Sequence, residues 1–189
     1  MRRDPYLVAI GTVSDAGEVE MEAQDLGLLI LRLAVGIVMI AHGLNHGRKL
    51  DSTAAWFESI GFSRAKNQAF MSAAGELAIG SALIFGLLTT FAAAGLVATM
   101  VVAGVSNHRK AGFFAFNRPI EGWEYVMTLA VIGLALATMG AGGWSVDDAI
   151  SLDMSGWPGF IIGLAGIGAG ITQLAIFWRP PADTGDAAG

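Results

Sequence analysis

Residues 27–50 read GLLILRLAVGIVMIAHGLNHGRKL, a long apolar run interrupted by Arg32 and closed by His42, His46, Arg48 and Lys49. The run from Gly27 to Leu44 comes near the ~20 residues needed to cross ~30 Å of hydrocarbon. Two cations directly after it mark a wet end. The fold follows from whether the rest of the chain repeats this pattern.

It does. Of 189 residues 54% are hydrophobic and 14% charged, against about 25% charged in ordinary soluble domains. The apolar residues fall into runs at 27–44, 70–88, 89–106, 125–142 and 157–178, the second and third joined by a turn around Leu88-Thr89-Thr90. The expected class is an all-α membrane protein with five transmembrane helices. Residues 1–26 read as a retained, polar, acidic N-terminal tail, because the apolar stretch Tyr6–Gly11 is shorter than a signal-peptide core.

Cations sort to one side. Arg48, Lys49, Arg64 and Lys66 precede the second run, Arg109, Lys110 and Arg118 precede the fourth, and Arg179 follows the fifth. Five crossings place all eight together, opposite Asp15, Glu18, Glu20, Glu22, Asp25 and the acidic 143–156 loop; Arg2 and Arg3, far from the first run, disagree. The positive-inside rule then expects the N-terminus outside and the C-terminus in the cytoplasm of a cell inner membrane. Arg48-Lys49 serve as a topology anchor and contact lipid phosphate.

Several function classes fall away. The chain has no cysteine, so it holds no disulfide, thiol relay, Fe–S cluster or thiolate metal site of its own. No basic stripe with interleaved aromatics suggests nucleic acid. Between the first two runs, Asp51 or Ser52 can cap a short interfacial helix that presents Trp56, Phe57 and Ile60 and stops at Gly61, with ordinary linker turns as the alternative. Ser63 can cap a further helix leading into the second run. Gly159, Gly163, Gly166 and Gly170 repeat a small-xxx-small spacing that lets backbones approach, with a neighbour from this chain or from a second copy.

Ionisable groups inside a span cost at least ~2.5 kcal/mol each and call for a partner or a function. Arg32 and Glu76 are the two cases. At 1.5 Å per residue Arg32 lies about 20 Å, Glu76 about 9 Å and His42 about 5 Å from the cationic boundary. A direct Arg32–Glu76 bridge is therefore not expected, and Arg32 either snorkels or pairs with Asp147 or Asp148 as a structural lock. Asn107, His108, Glu124, Tyr125 and Gln173 sit at depths comparable to Glu76. Five helices thus deliver polar groups to one layer, a setting suited to proton exchange with a quinone headgroup. His42 reads as its buried histidine, with His46 at the boundary. The i, i+4 spacing of His42 and His46 leaves metal ligation with His108 as an alternative, and a purely structural hydrogen-bonding role as another.

The order RLAVGIVMIAHGLNHGRKL, AAGELAIGSALIFGLLTTFAAAGL, NHRKAGFF and EGWEYVMTLAVIGLALATMGAGGWSVDD resembles the DoxX family of membrane proteins. The shared features are His42-Gly43, Glu76 with Gly80 and Gly86-Leu87, Gly112-Phe113-Phe114, Glu124-Tyr125 and the closing Gly140, Gly142, Trp144-Ser145 and Asp147. The resemblance implies a four-helix bundle over 27–148, with the helix in 149–178 as an addition and 179–189 as a short disordered tail. The family often has a lysine soon after His-Gly, where His46 stands before Arg48-Lys49, and an arginine after the second span, where Thr90-Phe91 stand.

Relatives are associated with membrane redox systems, including quinone reduction and oxidative-stress assemblies. The expectation is a membrane subunit of a redox or respiratory complex that binds quinone near His42, Glu76, His108, Glu124 and Tyr125, with Arg32 and Asp147 structural and no metal. The alternative is a non-catalytic scaffold or anchor subunit. Expected partners are membrane lipid, other subunits of a redox complex and a second copy through the fifth helix.

Overall fold

The computed structural model describes residues 5–116 and 121–181, and the backbone alone for 5–21. Among the described residues seven α-helices follow one another: α1 Pro5–Arg48, α2 Leu50–Ser59, α3 Ala65–Phe85, α4 Thr89–Ala103, α5 Glu124–Met139, α6 Val146–Ala149 and α7 Gly156–Phe177. A π-helical turn, Gly104–His108, and a 3-10 turn, Arg109–Ala111, prolong α4. Among the described residues there is no strand, only an isolated bridge between Phe62 and Trp178.

Glu22–Arg48, Ala65–Phe85, Thr89–Ala111 and Gly156–Phe177 are each long and apolar enough to cross a membrane. The apolar α5 has 16 residues, about 24 Å of helix, and is the shorter fifth apolar helix of the bundle. The DoxX-like bundle plus one helix expected from the apolar runs is the architecture observed. Helix α1 starts at Pro5, so the segment read as a polar tail is helical from there. Proline suits a first helical position, and no later proline interrupts the run. Residues 1–4 and 182–189 lie outside the described residues.

Because lipid is as apolar as leucine, close backbone approach rather than hydrophobicity pairs helices in a bilayer. Helix α1 lies on α3 through Gly36 and Gly80, where a Cβ on either would sit 2.8 and 2.7 Å from the other's carbonyl oxygen. Helix α4 is central, packing on α3, α5 and α7. Val35, Met39, Leu83, Ala93, Leu96, Met100, Leu129 and Leu136 form the buried core. The glycine face of α7 is covered within the chain: a Cβ at Gly166 would strike the Ala94 oxygen, and one at Gly163 would lie 2.8 Å from the Leu134 side chain. Of the two neighbours the spacing allowed, this chain or a second copy, the chain's own α4 and α5 cover that face.

At the acidic end the intramembrane charge is locked. Arg32 is 0% exposed and Nη2 donates to the Trp144 carbonyl at 2.5 Å. Its Nη1 occupies the space a Cβ on Gly86 would fill. Asp147 turns its carboxylate to the start of α4, accepting from Leu88 N at 2.7 Å and Thr89 N at 2.8 Å, while its own N–H donates to Gly86 O at 2.8 Å. Arg32 thus neither snorkels nor forms a close ion pair with Asp147; the two residues bind adjacent backbone at one joint.

Two expected caps are replaced. Helix α2 has Lys49 as N-cap and α3 has Arg64, neither with a side-chain cap bond. Ser63 instead donates through N and Oγ to the Phe177 carbonyl, at 2.7 and 3.0 Å. A helix end from elsewhere in the chain outcompetes the local cap, and α3 starts beyond it as one continuous helix.

Candidate functional site

Two cavities open at the cationic end. One, about 770 Å³, lies among α2, α3, α4 and α7; the other, about 640 Å³, lies among α1, α2, α4 and α5. Both fall within the ~300–1,000 Å³ of ordinary ligand pockets. His46, Trp56, Glu76, Thr99, Ala103 and His108 face both, so they form the partition.

Local sequence explains the partition. A Cβ on Gly43 would lie 2.9 Å from the Ala73 oxygen, so the bare glycine brings the last turns of α1 onto α3. His46, three residues on and on the same helix face, then meets Ser72 and Glu76, themselves one turn apart. Ser72 Oγ donates to Glu76 Oε1 at 2.8 Å and lies 3.3 Å from His46 Nδ1. With the hydroxyl proton directed to the carboxylate, the tautomer that completes the contact carries its proton on Nδ1 and donates to Ser72 Oγ. The chain therefore runs His46 Nδ1–H to Ser72 O–H to Glu76. Glu76 Oε2 is 3.1 Å from Nδ1, within ion-pair distance, and makes no hydrogen bond. Trp56 and Phe57 of α2 hold the imidazole, with centroids at 6.2 and 6.3 Å.

Glu76 is 5% exposed. Leaving its carboxylate without such neighbours in this position would cost several kcal/mol. His46 and Ser72 are thus its compensating partners.

The histidine beside Glu76 is His46, not His42, so their expected roles are exchanged. His42 is exposed, lines the smaller cavity and stacks with Tyr125 at 6.5 Å. The physical reason is register. Helix α3 begins at Ala65, before the apolar run, so Glu76 lies about 16 Å into it and comes level with the last turn of α1. Depth counted along separate apolar runs did not share an origin.

His108 faces both cavities because the π turn rotates the end of α4; its Nδ1 lies 2.7 Å from Glu121 O. Asn107 and Gln173 line the larger cavity, where Gln173 donates to Gln68 at 2.9 Å. Glu124 opens α5 and lines neither cavity, whereas Glu121 lines the smaller. His42 and His46 stand edge to face at 6.3 Å, and among the described residues no three His, Cys, Asp or Glu gather as metal ligands. Sequence reasoning missed Ser72 and Gln68; the i, i+4 spacing of Ser72 and Glu76 was the available signal.

Helix α7 closes the larger cavity. Trp178 Nε1 donates to Ile60 O at 2.8 Å, Arg179 N donates to Gly61 O at 2.9 Å, and Arg109 lies 5.4 Å over the Trp178 ring. Gly61 has φ +99°, and a Cβ there would strike the Arg179 carbonyl, so only glycine fits this corner.

Comparison with known proteins places this geometry in context. Residues 27–109 match the DoxX family. A Bacillus subtilis (strain 168) protein described as "Putative oxidoreductase CatD" is 31% identical over 112 residues, covering 59% of this chain and 79% of that protein. No solved structure matches the chain.

Proposed function

The chain belongs to the DoxX family, and we propose that it is a quinone-associated membrane subunit of a redox or respiratory complex. The observation that carries this reading is the His46–Ser72–Glu76 group standing between two ligand-sized cavities inside an apolar bundle. Apolar side chains in both cavities suit the ligand class: Val38, Met39, Trp56 and Leu129 wall the smaller, and Trp56, Phe57, Phe62 and Met71 the larger. A bound quinone would supply two-electron, two-proton chemistry. His42 and Tyr125 would flank its ring in the smaller cavity, Glu76 and His46 would hold a proton beside it, and His108 would close the partition. Electrons would come from another protein, since the chain has no cysteine for a thiol relay or Fe–S cluster.

The described name of the Bacillus relative, an oxidoreductase, agrees with a redox role. The test is solvent extraction of the purified protein followed by chromatography. Quinone should co-purify, be depleted by His42→Ala and change in amount or redox form in Glu76→Gln; protein without quinone, and without any quinone-dependent change in these variants, sinks the reading. The alternative is a non-catalytic scaffold, which rested on the glycine-lined fifth helix and the N-terminal tail; the glycine face packs on α4 and α5 of the same chain.

In the same proposal the cationic end faces the cytoplasm of the cell inner membrane and the Asp147 end faces outside. The asymmetry of Lys and Arg supports it. Ser59→Cys should resist an impermeant maleimide added to intact cells and Asp148→Cys should react; the opposite pattern reverses the orientation.

A further inference from the structure

The hydrogen-bond chain at the partition fixes which face of His46 meets a ligand. Ser72 gives its proton to Glu76 Oε1, so Nδ1 of His46 is the protonated nitrogen and is directed toward Ser72 and Glu76. In neutral imidazole the other nitrogen is then an acceptor. Nε2 has no hydrogen-bond partner among the described residues and is not among the buried unpartnered atoms, while the ring walls both cavities. The polar atom of this group left for an occupant therefore accepts a proton and does not offer one.

We infer that His46 is a specificity-determining residue that selects the reduced, hydroxyl-bearing form of an aromatic ligand, a hydroquinone, over its carbonyl-bearing oxidised form. A hydroquinone O–H can donate to Nε2, whereas a quinone carbonyl meets lone pair against lone pair. Glu76 acts behind the ring as a positioning residue: its carboxylate, through Ser72, holds the proton on Nδ1. The inference rests on the proposed quinone site and adds the redox form that the site prefers.

The two readings separate in one experiment. The full chain in mild detergent at pH 8 is equilibrated without oxygen against duroquinol or duroquinone, and bound ligand is measured by equilibrium dialysis. Duroquinol should bind about tenfold more tightly, the value of one net hydrogen bond. His46→Phe keeps a ring but removes the acceptor, and should equalise the two forms while still binding duroquinone, which shows that the cavity is intact. Glu76→Gln introduces amide donors beside Nδ1 and Ser72, favours the other tautomer and should cancel or invert the preference, a change that loss of packing alone would not produce. Binding of neither ligand to the natural protein overturns the quinone site and this inference together. Equal or tighter binding of duroquinone overturns the inference and leaves the quinone site standing. A duroquinol preference that survives His46→Phe or Glu76→Gln also overturns it.

Discussion

Asp147 is a residue whose side chain replaces a local cap with a distant one. Its carboxylate takes the N–H groups of Leu88 and Thr89, two of the donors that a helix start leaves without intrahelical partners. Removing such a cap costs about 0.5–2 kcal/mol. Asp147→Ala should lower the melting temperature of the purified protein by about 1–8 °C in a thermal scan; an unchanged midpoint would show that these bonds add nothing. Gly86 makes a sharper case. Its φ of +64° and the Arg32 guanidinium packed where a Cβ would go leave no room for Gly86→Val, so this variant should not survive detergent extraction as a monodisperse peak. Arg32 and Glu76 were legible as residues needing partners, because charge in hydrocarbon is expensive wherever it sits. Their partners were not, since Trp144 O and His46 lie at sequence distances that no local pattern encodes.

At the scale of elements, apolar run length locates the crossings, and glycine decides how they meet. Helix α7 presents Gly159, Gly163, Gly166 and Gly170 to α4 and α5. The spacing was readable, but the identity of the neighbour depended on where α4 runs. Gly166→Leu drives a side chain into the Ala94 carbonyl and should cost at least the ~1–3 kcal/mol typical of overpacking, measured as a lower unfolding midpoint. Gly168→Leu, at a position with nothing within 4 Å, should leave that midpoint unchanged. Equal behaviour of the two would mean that α7 does not pack on α4 by this face. The π turn at Gly104–His108 is the element the sequence concealed most completely. Apolar periodicity does not distinguish i+4 from i+5 bonding over one turn, yet that turn brings Asn107 and His108 to the cavities.

For the molecule as a whole, the ends differ in charge and in purpose: the Arg32–Asp147 joint fastens one, and the other holds two cavities under the α2–α3 corner. Helix α7 ties that corner down through Gln68–Gln173 and Trp178–Ile60. The natural chain has no cysteine, so Gln68→Cys with Gln173→Cys gives a clean test. Mild oxidation should yield an intrachain cross-link that migrates as a monomer; a reducible dimer would assign α7 to a neighbouring copy. By itself, the sequence determined the class, the five apolar helices, the clustering of cations between them and the two residues whose burial demands compensation, because these depend on composition and on the fixed rise of a helix through hydrocarbon. The tertiary structure decided the helix register, the exchange of His42 for His46 beside Glu76, the covered face of α7 and the paired cavities. These depend on which backbones glycine allows to touch, and on how far each helix continues beyond its apolar run.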